Sequence, residues 1–245
     1  MPIPKTIHYC WFGRGELFPL AKKCLASWRQ FFPDYEIKEW NEDNFDVNII
    51  PYTAEAYKAG KYAFVSDYAR FWVLYHFGGV YFDTDVEVIK SMDDVLEKGP
   101  FMGFELLGKQ TAANPGLGLA AEPHMSLYKD ILARFEQMYF LTENGSLNPY
   151  TMIPMVTDLL KENGLEGNGA IEHIAGVYVY PPDWFNPFND ATGRLRKTKN
   201  TRTIHWFAKS WLPADPAWKT ASKRLMRRLF GTERFSWLGR FLKKR

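Results

Sequence analysis

Apolar positions crowd most tightly between Ala69 and Phe77, where Phe71, Trp72, Val73, Leu74 and Tyr75 follow one another. A helix that is apolar nearly all round is expected where protein covers both of its flanks. Gly78 and Gly79 end it, as glycine does at helix C-termini that need positive φ. Residues 80–88 are β-branched and aromatic and read as extended chain. Residues 66–88 thus form a helix, a stop and a strand, the unit around which the rest is arranged.

The remaining pattern alternates between short apolar runs and helical stripes. Residues 6–12 read as a first strand, left through Gly13 and Gly15. Leu20, Cys24, Leu25, Trp28, Phe31 and Phe32 make a helical stripe over residues 17–32, at the spacing of one helix face. Residues 35–40 alternate as a second strand, 41–44 turn, and 53–59 form a helix closed by Gly60. Beyond the pivotal unit come a short helix at 91–98 and a strand at 101–106. A polar connection follows at 109–114, a Pro115-Gly116 turn, and a strand at 117–121. Helices are predicted at 124–139 and 150–160, strands at 176–180 and 203–207, and a long polar and aromatic connection at 181–199. Such alternation predicts an α/β domain, with a mostly parallel central sheet flanked by helices on both faces.

Charges interrupt the apolar unit, and four of them fall into two pairs. Asp67 and Arg70 are three apart on a helix and share a face. Asp83 and Asp85 are two apart on an extended run and share the same side. Charges in apolar surroundings are costly without partners. Asp67 and Arg70 either pair or grip a polar ligand, and a divalent cation is the natural counter-charge for Asp83 and Asp85. Trp11 stands at the carboxyl end of the first strand, where ligands gather in α/β sheets. It is placed either to stack on a flat ring or to pack at the rim. His8 sits in an apolar strand and reads as a core histidine, while His76 and His124 read as structural or exposed.

Composition narrows the class. The chain has 245 residues and 46% hydrophobic content, enough for one sizeable core and unlike disordered or fibrous proteins. Cys10 and Cys24 form no Cys-x-x-Cys or zinc-type cluster, and a reducing cytosol fits them. The N-terminal residues lack the pattern of a signal peptide, and no apolar run reaches the length of a membrane span. The net charge of +3 is unevenly spread: residues 219–245 hold ten Lys or Arg against one acid. That divides the chain into a body, residues 1–215, and a basic tail, residues 216–245.

Three runs carry a family resemblance: IPKTIHYCWFG, SDYARFWVLYHFGGVYFDTD and, late in the chain, HWFAKSW. Together they resemble the bacterial and fungal glycosyltransferases containing the DXD sugar-binding motif (family 32-like). These include capsular polysaccharide synthesis enzymes and initiating mannosyltransferases. Their catalytic unit is similar to that of the clostridial glucosylating toxins. The resemblance covers roughly residues 1–215. It implies a GT-A nucleotide-diphospho-sugar transferase fold, a nucleotide-sugar donor (a UDP-sugar favoured), a Mn²⁺ or Mg²⁺ ion and retention of configuration.

Residue by residue, Trp11 resembles the aromatic that stacks on the nucleotide base. Asp67 resembles the acid that binds ribose or sugar hydroxyls, and Arg70 the base that reaches sugar or diphosphate. Tyr81 lies beside the first motif acid. Asp83 would touch sugar or ribose hydroxyls and Asp85 would ligate the metal. His205 resembles a late metal ligand, although the toxins have no histidine there. Ser210 and Trp211 resemble the pair on the diphosphate, and Asn114 a donor-sugar contact. The chain lacks the long helical inserts of the toxins, which disfavours a protein acceptor.

The tail interleaves apolar and basic residues. Leu225, Met226, Leu229 and Phe230 are flanked by Lys223, Arg224, Arg227 and Arg228, as in an interfacial helix on an anionic membrane. In the alternative, its apolar face packs on the body. No nucleic-acid reader motif accompanies the basic residues. The expectation is a cytoplasmic enzyme on the inner face of the plasma membrane. It would build cell-surface polysaccharide on a saccharide or lipid-linked acceptor. A protein-glycosylating effector, a nucleotidyltransferase and a silent nucleotide-sugar-binding module are the alternatives.

Overall fold

The computed structural model describes residues 2–107, 110–208 and 217–230. The chain runs β1 (Thr6–Cys10), α1 (Pro19–Phe31), β2 (Glu36–Trp40), α2 (Pro51–Lys58), α3 (Tyr62–Phe77), β3 (Gly79–Tyr81) and β4 (Val86–Val88). Then come α4 (Asp93–Leu96), β5 (Phe101–Leu107), β6 (Gln110–Ala113), a 3-10 turn (Pro115–Leu117), β7 (Leu119–Ala121), α5 (Ser126–Glu136) and α6 (Met152–Glu162). The last elements are β8 (Glu172–Ile174), β9 (Val177–Tyr180), α7 (Pro182–Phe185), β10 (Phe188–Asn189), β11 (Arg194–Leu195), β12 (Thr203–His205) and α8 (Ala217–Phe230).

The central sheet has the order β2-β1-β3-β7-β5-β9-β8, with β6 added to β5. β2, β1, β3, β5 and β9 run one way; β7 and β8 run against them. The sheet is therefore mostly parallel, as the alternating pattern predicts. Its two faces bury separate clusters. α2, α3, α5 and α6 cover one face with Cys10, while α1, α4 and α7 cover the other with Ile7 and Tyr9. Trp28, fully buried, donates its indole N–H to Val86 O at 2.8 Å and so fastens α1 to β4.

The helix end at Gly78 and Gly79 is forced by space as well as dihedral angle. Both have positive φ, 64° and 99°. A Cβ on Gly79 would lie 2.6 Å from Thr6 O. His8 lies beside this turn as a core histidine. It takes the Trp40 indole N–H on Nδ1 at 3.1 Å and pairs Nε2 with Gly78 O at 3.0 Å. With Nδ1 accepting, Nε2 carries the proton, and the ring is neutral.

The structure adds β8 and places α7, β10 and β11 within the connection expected at 181–199, and it corrects the pattern at two places nearer the site. Asp83 and Asp85 are not on a strand: the chain leaves the sheet after Tyr81 and turns, with Val86 N donating to Asp83 O at 2.9 Å. β4 then pairs antiparallel with β12, apart from the central sheet. Phe82 and Val86 are both fully buried, so hydrophobicity alone makes one strand of what are two. Residues 110–113, polar in pattern, form β6 because they pair antiparallel with β5.

α8 docks by its arginines. Arg224 bonds Asp190 Oδ1 at 3.0 Å and lies over the Phe188 ring, and Arg228 donates to Thr192 O and Gly193 O. Leu225 and Met226 stay exposed. The tail beyond residue 230 lies outside the described residues.

Candidate active site

α3 and the turn after β3 bring the first charges together. Arg70 is buried, and its Nη2 lies 2.9 Å from Asp67 Oδ1 and 3.1 Å from Asp83 Oδ1. Its Nη1 reaches Asp83 Oδ2 at 3.4 Å, and Nε donates to Ser66 O. One planar guanidinium thus bridges two carboxylates, a geometry that lysine cannot reproduce. Tyr81 donates its hydroxyl to Asp83 Oδ1 at 3.1 Å, and its ring centroid lies 5.0 Å from the guanidinium. Burial pushes the Asp67 carboxyl up to about 6 even with Arg70 beside it.

β12 delivers the next member. Its register places His205 opposite Val86, and His205 Nε2 lies 3.2 Å from Asp85 Oδ1. Asp85 Oδ2 accepts the Ala208 N–H at 2.7 Å, and Asp85 O accepts the Trp206 N–H. Burial raises the Asp85 carboxyl, but His205 and the Ala208 N–H outweigh it and hold it below the usual range. Phe207, between these partners, has φ 52° and stacks edge-on against His205. A non-glycine residue in that region carries strain of about 1 kcal/mol or more, and here the turn aims Ala208 N at Asp85.

Potential ligand atoms of Asp83, Asp85 and His205 lie within 4.8 Å of one another. The donor set, two carboxylates and an imidazole, suits Mn²⁺ and, less well, Mg²⁺. Neighbouring ligands on an octahedral ion stand about 3 Å apart, so the 3.2 Å between Asp85 and His205 fits two of them. His205 Nδ1 is buried without a hydrogen-bond partner among the described residues. Asp67 and Asp83 share the one guanidinium, while Asp85 is partnered by His205 and the Ala208 N–H.

The 3-10 turn closes the other wall. Asn114 Oδ1 accepts the Gly116 N–H at 2.8 Å, and Asn114 Nδ2 donates to Glu105 Oε2 at 2.6 Å. A Cβ on Gly116 would stand 2.6 Å from Asp83 Oδ2, so this close approach needs glycine. Trp11 follows β1 at its carboxyl end; its indole donates to Gly15 O and its ring packs on Phe18. The structure thus gathers Asp67, Arg70, Tyr81, Asp83, Asp85, Asn114 and His205. Ser210 and Trp211 lie outside the described residues. Glu105, Gly116 and Ala208 belong to the site without a sequence signal: one acts by a strand register, one by lacking a side chain, one by its backbone.

This is the α/β architecture of a GT-A fold. Residues 20–102 match the family described as the glycosyltransferase sugar-binding region containing the DXD motif. It is 29% identical over 238 residues to inositol phosphoceramide mannosyltransferase 1 of Schizosaccharomyces pombe, covering 84% of this chain and 69% of that protein. A 98-residue stretch is 30% identical to inositol phosphoceramide mannosyltransferase 3 of the same yeast, covering 38% of this chain and 27% of that one. Among solved structures, the PaToxG glycosyltransferase is similar in fold, with TM-score 0.51, 20% identity, and 66% and 70% of the two chains covered.

Proposed function

We propose that the chain transfers a hexose from a nucleotide-sugar donor to a saccharide or lipid-linked acceptor, with retention of anomeric configuration. The observation that carries this reading is the Asp83, Asp85 and His205 cluster set against the Arg70-bridged acids. Asp85 and His205 would hold Mn²⁺ or Mg²⁺. The bound cation would neutralise charge on the leaving diphosphate.

The side chains do the rest. Trp11 offers a ring for the base. Asp67 and Asp83, held by Arg70, present acceptors to ribose or sugar hydroxyls. Arg70, with Ser210 and Trp211, supplies donors toward the diphosphate, where preorganised groups act on developing charge. Asn114, buried and engaged at both polar atoms, would act on the sugar through the wall it braces. A retaining hydrolase uses a second carboxylate as nucleophile, but Asp67 and Asp83 are committed to Arg70. Front-face substitution, with the leaving diphosphate helping to take the acceptor proton, accords with that. A covalent glycosyl-enzyme trapped on an Asp or Glu would refute it.

The names of the yeast relatives favour mannose as the hexose and a lipid headgroup as the acceptor. The UDP-sugar that the resemblance implies stays beside it, as does a role in cell-surface polysaccharide. We take residues 1–215 as the catalytic unit. The tail would lie against an anionic membrane on its cytoplasmic side, with exposed Leu225 and Met226 toward lipid; Arg224 and Arg228 are already engaged by the body.

The test is a donor screen. Purified protein with Mn²⁺ is offered UDP-glucose, UDP-galactose, UDP-N-acetylglucosamine and GDP-mannose, and nucleotide release is followed with and without EDTA. Release from one donor, lost with EDTA and in Asp85→Ala, supports the reading. A protein inert to these donors that releases pyrophosphate from a nucleoside triphosphate and a sugar 1-phosphate would instead be a nucleotidyltransferase.

A further inference from the structure

The resemblance gives Asn114 a donor-sugar contact, yet its side chain is 5% exposed and both of its polar atoms are engaged. The amide is held by Gly116 N–H at one end, and at the other it holds a carboxylate. That carboxylate, Glu105 on β5, is only half-buried. The turn that follows Asn114 packs against β12, the strand that carries His205. The turn that Asn114 caps also presses Gly116 against Asp83. Glu105 therefore stands on the wall shared by the candidate metal ligands and the Arg70 pair.

A sugar leaving a diphosphate bound near Asp85 and His205 must lie beside this wall. A carboxylate fixed by a buried amide is a directed acceptor, and hydrogen bonds to ionised groups are the stronger kind. We propose that Glu105 accepts a hydrogen bond from a hydroxyl of the donor sugar, and that Asn114 is the positioning residue that aims it. This rests on the nucleotide-sugar reading above and deepens it.

The probes are the four donors of the screen, then the 2-, 3-, 4- and 6-deoxy forms of whichever one wild type turns over. Wild type should lose ~10- to 100-fold in kcat/KM on one deoxy donor, the range for a hydrogen bond to a charged group. Glu105→Ala should lower the parent donor by a like factor and leave that deoxy donor unchanged, closing the gap. Glu105→Gln keeps an oxygen for Asn114; it should melt like wild type and show an intermediate gap. Asn114→Ala should narrow the gap as well.

Equal losses on the parent and every deoxy donor in Glu105→Ala would overturn the inference and leave the transferase reading standing. Absence of donor binding by wild type in calorimetry would overturn the nucleotide-sugar reading and this inference with it.

Discussion

His205 Nε2 lies 3.2 Å from Asp85 Oδ1, although β12 and the Asp83–Asp85 turn come from distant parts of the chain. The pairing of β12 with β4 sets that distance. We expect His205→Ala to weaken Mn²⁺ binding at least ~10-fold, as loss of a ligand does at sites where even an outer partner is worth 10- to 100-fold. Electron paramagnetic resonance of free Mn²⁺ measures it directly. Unchanged affinity would remove His205 from the metal site.

Arg70 is the common partner of Asp67 and Asp83. Removing it leaves two carboxylates facing each other with no cation between them. Arg70→Ala is expected to cost about 3 kcal/mol, as when one partner of a buried pair is removed. Urea unfolding reads this, and a loss below about 1 kcal/mol would mean the acids find water instead. Arg70→Lys should restore part of the stability but little activity, since the two-acid bridge needs a planar fork.

Gly116 makes a sharper case, because its substitution adds only a methyl group. The added Cβ would meet Asp83 Oδ2 at 2.6 Å and Asn114 Oδ1 at 3.1 Å. Gly116→Ala should therefore lower kcat/KM by ~10-fold or more while the melting temperature moves little, since displacement of a positioned group by about 1 Å is enough for such a loss. Wild-type kinetics in this variant would place Asp83 outside the chemistry.

His8 links stability to pH. Burial lowers its pKa from 6.5 to about 4; the Gly78 carbonyl pulls it up, and Lys38 adds to the lowering. The unfolded chain thus binds a proton that the folded chain refuses. Stability is complete above pH 6.5 and falls as pH drops toward 4, by about 3 kcal/mol over the window. Urea unfolding at pH 7.5, 5.5 and 4.5 should show this slope, and His8→Gln should flatten it. Equal slopes in the two proteins would assign the effect to carboxylates.

At the tail, Leu225 is 54% exposed and Met226 38%. Substituting both by Glu should release the protein from vesicles containing anionic phosphatidylserine in a sedimentation assay, with its melting temperature unchanged. Wild type that never sediments with such vesicles would refute membrane attachment through this helix.

The sequence is legible where one residue type serves one purpose. Gly78 and Gly79 mark the end of α3 because no side chain fits there, and Asp67 and Arg70 share a face by helical spacing alone. The resemblance to a known motif marks Asp85 and His205. Spacing misplaces Asp83 and Asp85, because Phe82 and Val86 are buried on both sides of a turn and mimic one strand. β6 escapes notice because Gln110 and Thr111 gain their strand from Leu106 and Leu107 across the hairpin. Glu105 looks like any acid in a strand, since its part in the site depends on Asn114, which reaches it across that hairpin.

The order in which the site is written along the chain has its own consequence. Residues 20–102, the family's sugar-binding region, contain Asp67, Arg70, Asp83 and Asp85. Asn114 and His205 come later, and β12 reaches β4 only once most of the polypeptide exists. During synthesis the acids therefore emerge long before their last neighbour. A fragment ending ahead of Thr203 would keep the region that matches the family, residues 20–102, and yet lack the imidazole that stands beside Asp85.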